Sequence, residues 1–288
     1  MLSGIIDMIT QRKSFRNFNE QPLDNKIIQN LQDFADRLPE GPFGNKCKFY
    51  LVQTDLDIRN FYKQGTYGII HGARNWIVSS TSDMGKKNFE DLGYLMELIV
   101  LYATSLNIQT CWVGGSFRER YFKNKVKTKT GEIIPAIVAI GTAEPYEGKL
   151  NAIIKWSVQS KKRKPWESLF FQGDLDTPLN KSEAGKYAES LEMLRLAPSS
   201  SNLQPWRIIK EANRDIFHFF LSRNKKIKEF HKVFNIYDIQ RIDMGIAMCH
   251  FTETAKEQGL DGSWQFALPQ FLFSNKLEHV ATWYGRSK

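Results

Sequence analysis

Three cationic side chains and a hydroxyl lie close together near the start of the chain, in the segment Arg12-Lys13-Ser14-Phe15-Arg16. In an extended backbone, Arg12, Ser14 and Arg16 share one face, because successive side chains of a strand alternate. Two guanidinium groups and a hydroxyl that converge in this way would bind a phosphate or a carboxylate. The segment also fits a simpler interpretation, the basic end of a predicted helix over residues 3–11, and its sequence alone leaves both open.

A second polar cluster follows a predicted helix that ends at Pro198. Three serines, Ser199–Ser201, and Asn202 come next, and Gln204-Pro205-Trp206 then leads into a predicted strand. A polar loop between a buried helix and a strand is well placed to bind the polar edge of a heterocycle. A helix cap combined with an Asx turn would explain the same residues without any ligand.

Several other kinds of site are not indicated. The chain has no GxGxxG or GxxxxGK segment, so a Rossmann or Walker-type phosphate loop is not predicted. The three serines lack the GxSxG context of a hydrolase nucleophile. No metal site is predicted, because no cysteine lies in a CxxC pair and the histidines lack ligand spacing; the residues concerned are Cys47, Cys111, Cys249, His71, His218, His231, His250 and His279.

The composition is that of an ordinary globular protein. The chain has 288 residues, of which 42% are hydrophobic and 25% charged, enough for one large domain or two small ones. No apolar run approaches the roughly 20 residues that span a bilayer, and the N-terminal segment lacks the pattern of a signal peptide. Three widely spaced cysteines do not suggest a disulfide framework, so a reducing, cytoplasmic setting is expected.

The net charge of +9 is concentrated in three basic runs, at residues 118–129, 161–164 and 223–232. Solvated loops and helix faces are the favoured interpretation of the first and third runs. A surface that binds a polyanion is the alternative, but no nucleic-acid-binding motif accompanies these runs. No specific nucleic-acid partner is therefore predicted.

The chain contains a weak internal repeat. Asp91-Leu92-Gly93 opens an apolar, helix-like stretch that ends in Trp112, and Asp243-Met244-Gly245 opens a similar stretch that ends in Trp264, 152 residues later. An amphipathic helix that ends in proline and an Asn-headed strand precede each stretch, and further strand-like runs recur in the same order. Five elements in matching order favour a duplication over the general self-similarity of helix–strand alternation.

Each half is predicted to contain a helix, two strands, a long helix and a final strand. Few, short strands that alternate with helices indicate an α+β fold rather than a long Rossmann sheet. The long helix of the first half is apolar on most faces, so it should be buried against its counterpart in the second half. Proline, glycine and aspartate between residues 165 and 180 suggest the boundary, and we divide the chain into halves 1–170 and 171–288.

Four segments of the chain resemble the flavin-dependent nitroreductase family. RKSFRNF resembles the RxSxR opening of that family, and APSSSNLQPW resembles its APSxxNxQPW segment. LNIQTCWVGGSF is similar to the segment that follows the family's long helix. IPAIVAIGTAEP, followed by KKRKPWESL, is similar to its closing strand and basic tail. The resemblance covers almost the whole chain and implies a nitroreductase-like fold.

The chain departs from the family pattern in how these segments are distributed. The family is usually an intertwined homodimer with two FMN sites, each built from both subunits. Here the first half carries RxSxR, CWVGG and the basic tail, but residues 38–45 are a degenerate version of the family's PSxxN loop. The second half carries PSSSN but lacks the other three segments. The resemblance therefore implies two tandem half-domains that form an intramolecular pseudo-dimer with one intact FMN site and no need for a partner chain.

The resemblance also implies a role for each site residue. Arg12 and Arg163, with Lys164, would bind the FMN phosphate, Ser14 the phosphate or ribityl chain, and Arg16 the N1/O2 edge of the ring. Backbone amides at Gly114 and Gly115 would approach N5. The serine loop, which comprises residues 198–202, would cover the ribityl chain and the far end of the ring. The complete predicted set is Arg12, Lys13, Ser14, Arg16, Gly114, Gly115, Arg163, Lys164, Pro198, Ser199, Ser200 and Asn202.

The activity implied by the resemblance is hydride transfer from NAD(P)H to FMN, followed by reduction of an electron-poor acceptor such as a nitroaromatic or a quinone. The flavin would supply this chemistry, so no side chain is predicted to act as an acid or base. Trp112 and its counterpart Trp264 are interpreted as core residues rather than as stacking partners of the cofactor. Two alternatives stay open: FMN binding with a different flavin chemistry, and a non-catalytic protein whose sites have decayed and whose basic surface binds a partner.

Overall fold

The computed structural model describes residues 2–54, 66, 69–82, 84–85, 87–144, 162–224, 229, 236–266 and 277–286. Lys161 and most of the basic run at 223–232 lie outside these residues. The helices are α1 Ile5–Gln11, α2 Asn25–Asp36, α3 Asn88–Ser105, α4 Glu119–Val126, α5 Lys181–Ala184, α6 Ala188–Arg195 and α7 Ile239–Glu257. The strands are β1 Lys48–Gln53, β2 Asn75–Ser82, β3 Gln109–Gly114, β4 Glu132–Ile133, β5 Ala136–Gly141, β6 Phe170–Gln172, β7 Trp206–Lys210, β8 Ile216–Ser222, β9 Gly262–Gln265 and β10 Leu277–Gly285.

Two sheets with corresponding strand orders form the two halves. The first sheet has the order β1-β2-β5-β3, and the short β4 pairs with β2. The second has the order β6-β7-β8-β10-β9, so β1, β2, β5 and β3 correspond to β7, β8, β10 and β9. All four pairs of neighbours in the first sheet are antiparallel, as are the equivalent pairs in the second. The α+β class and the tandem arrangement are as the sequence predicts.

The long central helices end earlier than the sequence pattern suggested. Trp112 and Trp264 do not close the helices; they lie in β3 and β9, the strands that follow. After α3, Asn107 adopts a left-handed backbone conformation with φ 56°, and after α7 Gly259 does the same with φ 71°. Such residues stop a helix and turn the chain, which is why each tryptophan lies in a short strand after the helix and not at the helix end.

The helices α3 and α7 cross at the two glycines of the repeated Asp-x-Gly segments. A methyl group built on Gly93 would collide with the carbonyl oxygen of Ile242, and one built on Gly245 would collide with that of Glu90. Only hydrogen side chains let the two backbones approach so closely. Most of the side chains of both helices are buried, which confirms that the long helices pack against each other in the core.

The end of α7 also anchors the beginning of the first half. The carboxylate of Glu257 accepts hydrogen bonds from the backbone N–H groups of Gly4, Ile5 and Ile6. These amides open α1 and have no partner within the helix, so an acceptor from the other half satisfies them. This contact fixes α1, and with it the segment that begins at Arg12, relative to the second half.

The segment that joins the halves is part of the second sheet. β6 pairs in parallel with β7, and the residues before it, from 162 onward, run past the serine loop. The division after residue 170 falls inside β6 and stays a prediction. Among the described residues, none of the helices combines the length and the apolar character that crossing a bilayer requires.

Candidate functional site

A cavity of about 650 Å³ lies between the two halves and contains most of the predicted site. Its walls come from the segment after α1, from β3, from the joining segment, from the serine loop and from the first half of α7. Ten of the twelve predicted residues line it, although they are spread over 191 positions of the chain; they are Arg12, Lys13, Ser14, Arg16, Gly114, Arg163, Pro198, Ser199, Ser200 and Asn202.

The segment that begins at Arg12 runs extended beside β3. The N–H of Phe15 donates to the carbonyl oxygen of Thr110 at 3.0 Å, and Ser14 forms a β-bridge with the same residue. The extended interpretation of this segment is therefore correct. Lys13 and Phe15 line the cavity as well as Arg12, Ser14 and Arg16, so its lining is not restricted to one face of the segment.

Two guanidinium groups, the buried Arg12 and the half-buried Arg163, give the cavity wall a positive charge. Arg12 is only 8% exposed, and within the described chain its Nε and Nη1 atoms have no hydrogen-bond partner. Burial lowers the pKa of Arg12, an effect that Glu97 partly offsets. Burial, with the positive charges of Arg12 and Arg195, lowers the pKa of Arg163 to about 10. Two cations that burial destabilises, both in one cavity, are suited to an anionic ligand.

The joining segment holds Arg163 against the serine loop. Its Nη1 donates to Oδ1 of Asn202 at 3.1 Å, and its Nη2 donates to the carbonyl oxygen of Leu196 at 2.9 Å. In return, the side-chain amide of Asn202 donates to the carbonyl oxygen of Lys162 at 2.7 Å. The first half's basic tail and the second half's polar loop thus form one hydrogen-bonded unit.

The serine loop has a tight backbone that its own polar groups stabilise. Ser201, Asn202 and Gln204 have φ values of 50°, 53° and 47°, a left-handed conformation that polar residues with short side chains adopt most easily. The hydroxyl oxygen of Ser199 accepts from the N–H of Gln204 at 2.9 Å. The loop is therefore the tight turn that its residue types predict, and it lines the cavity at the same time.

The repeated aspartates hold the two equivalent loops, but not in the same way. Asp91 accepts from the N–H groups of Phe43 and Asn45 and from the side-chain amide of Asn45, so both its oxygens are bonded. Asp243 accepts from the N–H of Ser200 at 2.9 Å, and its buried Oδ2 has no hydrogen-bond partner within the described chain. Burial raises the pKa of Asp243 to about 8, so this carboxyl in the cavity wall is mostly protonated at neutral pH.

Asp243→Asn should become more stable relative to the wild-type protein as the pH rises from about 4 to about 8. In this range the folded protein keeps the Asp243 proton that the unfolded chain releases, so the wild type loses stability with increasing pH. The asparagine cannot ionise, and above pH 8 the difference should stay constant. Urea denaturation at several pH values measures this, with the exposed Asp33→Asn as the control; a difference that does not change between pH 4 and 8 contradicts the assignment.

Most of the chain is similar to one known protein family. Residues 4–255 match the family model described as "Putative TM nitroreductase". The chain belongs to this nitroreductase family. No curated protein matches it significantly.

One solved structure agrees with this assignment at the level of the fold, and two others are similar over about half of the chain. A nitroreductase structure from Thermotoga maritima MSB8 is similar over 98% of this chain and 93% of that one, with a TM-score of 0.58 and 18% identity. A nitroreductase family protein from Clostridium difficile 630 matches 56% of this chain and 92% of its own, with a TM-score of 0.42 and 16% identity. An FMN-bound nitroreductase from Desulfitobacterium hafniense DCB-2 matches 51% and 93%, with a TM-score of 0.40 and 21% identity.

Two residues that the nitroreductase pattern suggested do not line the cavity. The Lys164 ammonium donates to the carbonyl oxygen of Leu203 at 2.7 Å, on the other side of the joining segment, where it lines a separate cavity of about 170 Å³. Burial and the positive charge of Arg207 lower the pKa of Lys164 to about 8. Gly115 lies against the second half, where an added methyl group would come within 2.6 Å of Ile236.

The cavity wall also contains residues that the sequence did not identify as site residues. Trp112, interpreted as a core residue, is half-buried and forms part of the wall. Ile239, Ile242 and Ile246 of α7 add an apolar surface. Their spacing of three and four positions is the signal that could have indicated one shared helix face, although not that this face borders a cavity.

Proposed function

We propose that this nitroreductase family protein binds one FMN in the cavity between its halves and acts as an FMN-dependent oxidoreductase. In this proposal FMN accepts a hydride from NAD(P)H and passes it on to an electron-poor acceptor such as a nitroaromatic or a quinone. The observation that supports it is the meeting of RxSxR residues from the first half with PSSSN residues from the second in one cavity. Halves 1–170 and 171–288 would then form a single composite site.

The residues of the cavity fit the cofactor. A volume of about 650 Å³ lies within the range of about 300–1,000 Å³ typical of ligand pockets. Arg12 and Arg163 would bind the phosphate, whose nearly two negative charges suit one buried and one half-buried guanidinium group. In the absence of such an anion, the Nε and Nη1 atoms of Arg12 have no hydrogen-bond partner in the described chain, which is costly for buried donors.

The other cavity residues would orient the ring and its substrates. Arg16 would lie at the N1/O2 edge, where a fixed positive charge favours the reduced cofactor. The backbone at Gly114 would approach N5, and Pro198 with the serine loop would cover the opposite end. The isoleucines of α7 would exclude water from one side, and a flat acceptor would stack on the exposed side of the ring.

The remaining features follow from the same proposal. One chain would supply both halves of the site, so no second copy is needed for activity. Lys164 and Gly115, which do not line the cavity, would support its walls rather than contact FMN. A cytoplasmic location stays a prediction from the cysteine usage.

The test is the visible spectrum of the purified protein after FMN addition and desalting, with FMN counted per chain. We expect one FMN per chain, with absorption bands at about 370 and 450 nm, and oxidation of NADH or NADPH when a quinone is added. Two FMN per chain would contradict the single composite site. Binding without NAD(P)H oxidation would indicate another flavin chemistry. No binding in excess FMN would overturn the proposal and favour the alternative of a non-catalytic protein whose basic surface binds a partner.

A further inference from the structure

A buried acid–base pair joins the two halves directly behind the wall of the cavity. Glu97 of α3 and His250 of α7 are both 0% exposed, and their Oε1 and Nε2 atoms are 2.9 Å apart. Neither residue lines the cavity, but Glu97 contacts two that do. Its Oε2 accepts from the indole N–H of Trp112 at 2.7 Å, and its Oε1 lies 3.8 Å from Nε of Arg12.

The hydrogen bonds of His250 determine where its protons are. Its Nδ1 lies 2.9 Å from the backbone carbonyl oxygen of Met193, which can only accept, so Nδ1 carries a hydrogen. If the imidazole were neutral, Nε2 would then be an acceptor, and its contact with Glu97 would need a proton on the carboxyl group. One proton therefore lies between Glu97 and His250. It is on the carboxyl group if the pair is neutral and on Nε2 if the pair is ionic.

The surroundings favour the ionic arrangement. The guanidinium of Arg12 is positively charged, and Glu97 is the carboxylate within 4 Å of it among the described residues. A neutral Glu97 would leave this buried cation without a counter-charge, which is more costly than an ion pair. Cys249, the neighbour of His250 in α7, is neutral, because burial first and the nearby Glu253 and Glu97 second raise the pKa of its thiol well above the usual value.

We propose that Glu97 and His250 form a buried ion pair that shares one proton, and that the ionised Glu97 positions Arg12 in the cavity wall. His250 comes from the second half and Arg12 from the first. Through Glu97, the position of α7 therefore affects the position of Arg12 at the end of the cavity where the phosphate would bind. The effect on cofactor binding rests on the proposed function, whereas the state of the ion pair does not.

The ion pair is tested first without any cofactor, by ¹⁵N NMR of the histidine rings at pH 7. His250 should have hydrogens on both ring nitrogens in the wild type and in Glu253→Gln, and should lose the one on Nε2 in Glu97→Gln. The control is matched, because Glu253 is also a buried carboxylate of this interface, bonded to Tyr94 at 2.6 Å but away from the cavity. The signal is assigned by its loss in His250→Gln or, if that variant does not fold, by its persistence when each other histidine is replaced. A wild-type Nε2 without a hydrogen overturns the ion pair.

The positioning role is tested by a double-mutant cycle on FMN affinity, measured by the quenching of flavin fluorescence. Glu97→Gln keeps the shape of the side chain and should weaken FMN binding about tenfold in the wild-type background but less than twofold in the Arg12→Ala background. Glu253→Gln should have no effect in either. Equal loss in both backgrounds would show that Glu97 does not act through Arg12. If the wild type binds no FMN, the proposed function fails, and the NMR result still decides the ion pair.

Discussion

Replacement of Arg12 by alanine is expected to release FMN from the protein. Arg12 is a buried cation in the cavity wall whose Nε and Nη1 atoms are available to an anionic ligand. A hydrogen bond to a charged group contributes about 1.5–3 kcal/mol, and about 1.4 kcal/mol corresponds to a factor of ten in affinity. The dissociation constant of FMN, measured by fluorescence quenching, should therefore increase on the order of 10- to 100-fold for each bond that is lost.

Arg16→Ala is the matched control, because it removes the same type of side chain from the same extended segment. We expect this variant to retain much of its FMN but to lower the reduction potential of the cofactor, on the order of 30 mV for each 1.4 kcal/mol of lost stabilisation. A fixed positive charge near the ring stabilises the negative charge that accumulates on reduction, whereas a contact with the phosphate does not. Equal loss of FMN from both variants would contradict the separate roles of the two arginines.

Gly93→Ala should destabilise the whole protein, although alanine favours a helix more than glycine does. The gain in helix propensity is about 1 kcal/mol. Against it stands a collision between the new methyl group and the carbonyl group of Ile242, a backbone atom that cannot move without the entire helix α7. Overpacking of a core that forces backbone shifts costs about 1–3 kcal/mol, and we expect the upper end because the collision is with backbone. After the gain of about 1 kcal/mol in helix propensity is subtracted, the free energy of unfolding should fall by about 2 kcal/mol. Urea denaturation measures this.

Gly245→Ala tests the same crossing from the other helix, where the methyl group would collide with the carbonyl group of Glu90. The two substitutions should have similar effects, and each should also weaken FMN binding because Ile242 and Ile246 line the cavity. Asn124→Ala, on the exposed face of α4, is the control for helix propensity alone and should raise stability slightly. A neutral or stabilising Gly93→Ala would mean that the two helices can separate at little cost.

Two parts of the site could be predicted because their signals are local. The segment from Arg12 to Arg16 alternates side chains as an extended chain does, and it runs extended beside β3. The serines and Asn202 after Pro198 are residues that favour tight turns, and they form one. Their meeting in one cavity followed from the family resemblance, since no local pattern connects residues so far apart in the chain.

Two neighbouring residues of the basic tail mark the limit of such reasoning. Arg163 contacts Asn202 at the cavity, whereas Lys164 reaches the carbonyl oxygen of Leu203 on the other side of the segment. Adjacent side chains in an extended segment point in opposite directions, but which of the two faces the cavity depends on how the tail is seated against the second half. The sequence contains both as equivalent cations and cannot distinguish them.

By itself, the sequence determined most of the helices and strands and the burial of the long central helices, because each of these depends on patterns within about 20 neighbouring residues. Only the tertiary structure decided that Trp112 lies in the wall of the cavity and that Glu97 is joined to His250. It also decided that Asp91 and Asp243, equivalent in the repeat, differ in their hydrogen bonds. These contacts join residues that are distant in the chain, and their energies depend on burial and on partners that the folded protein alone brings together.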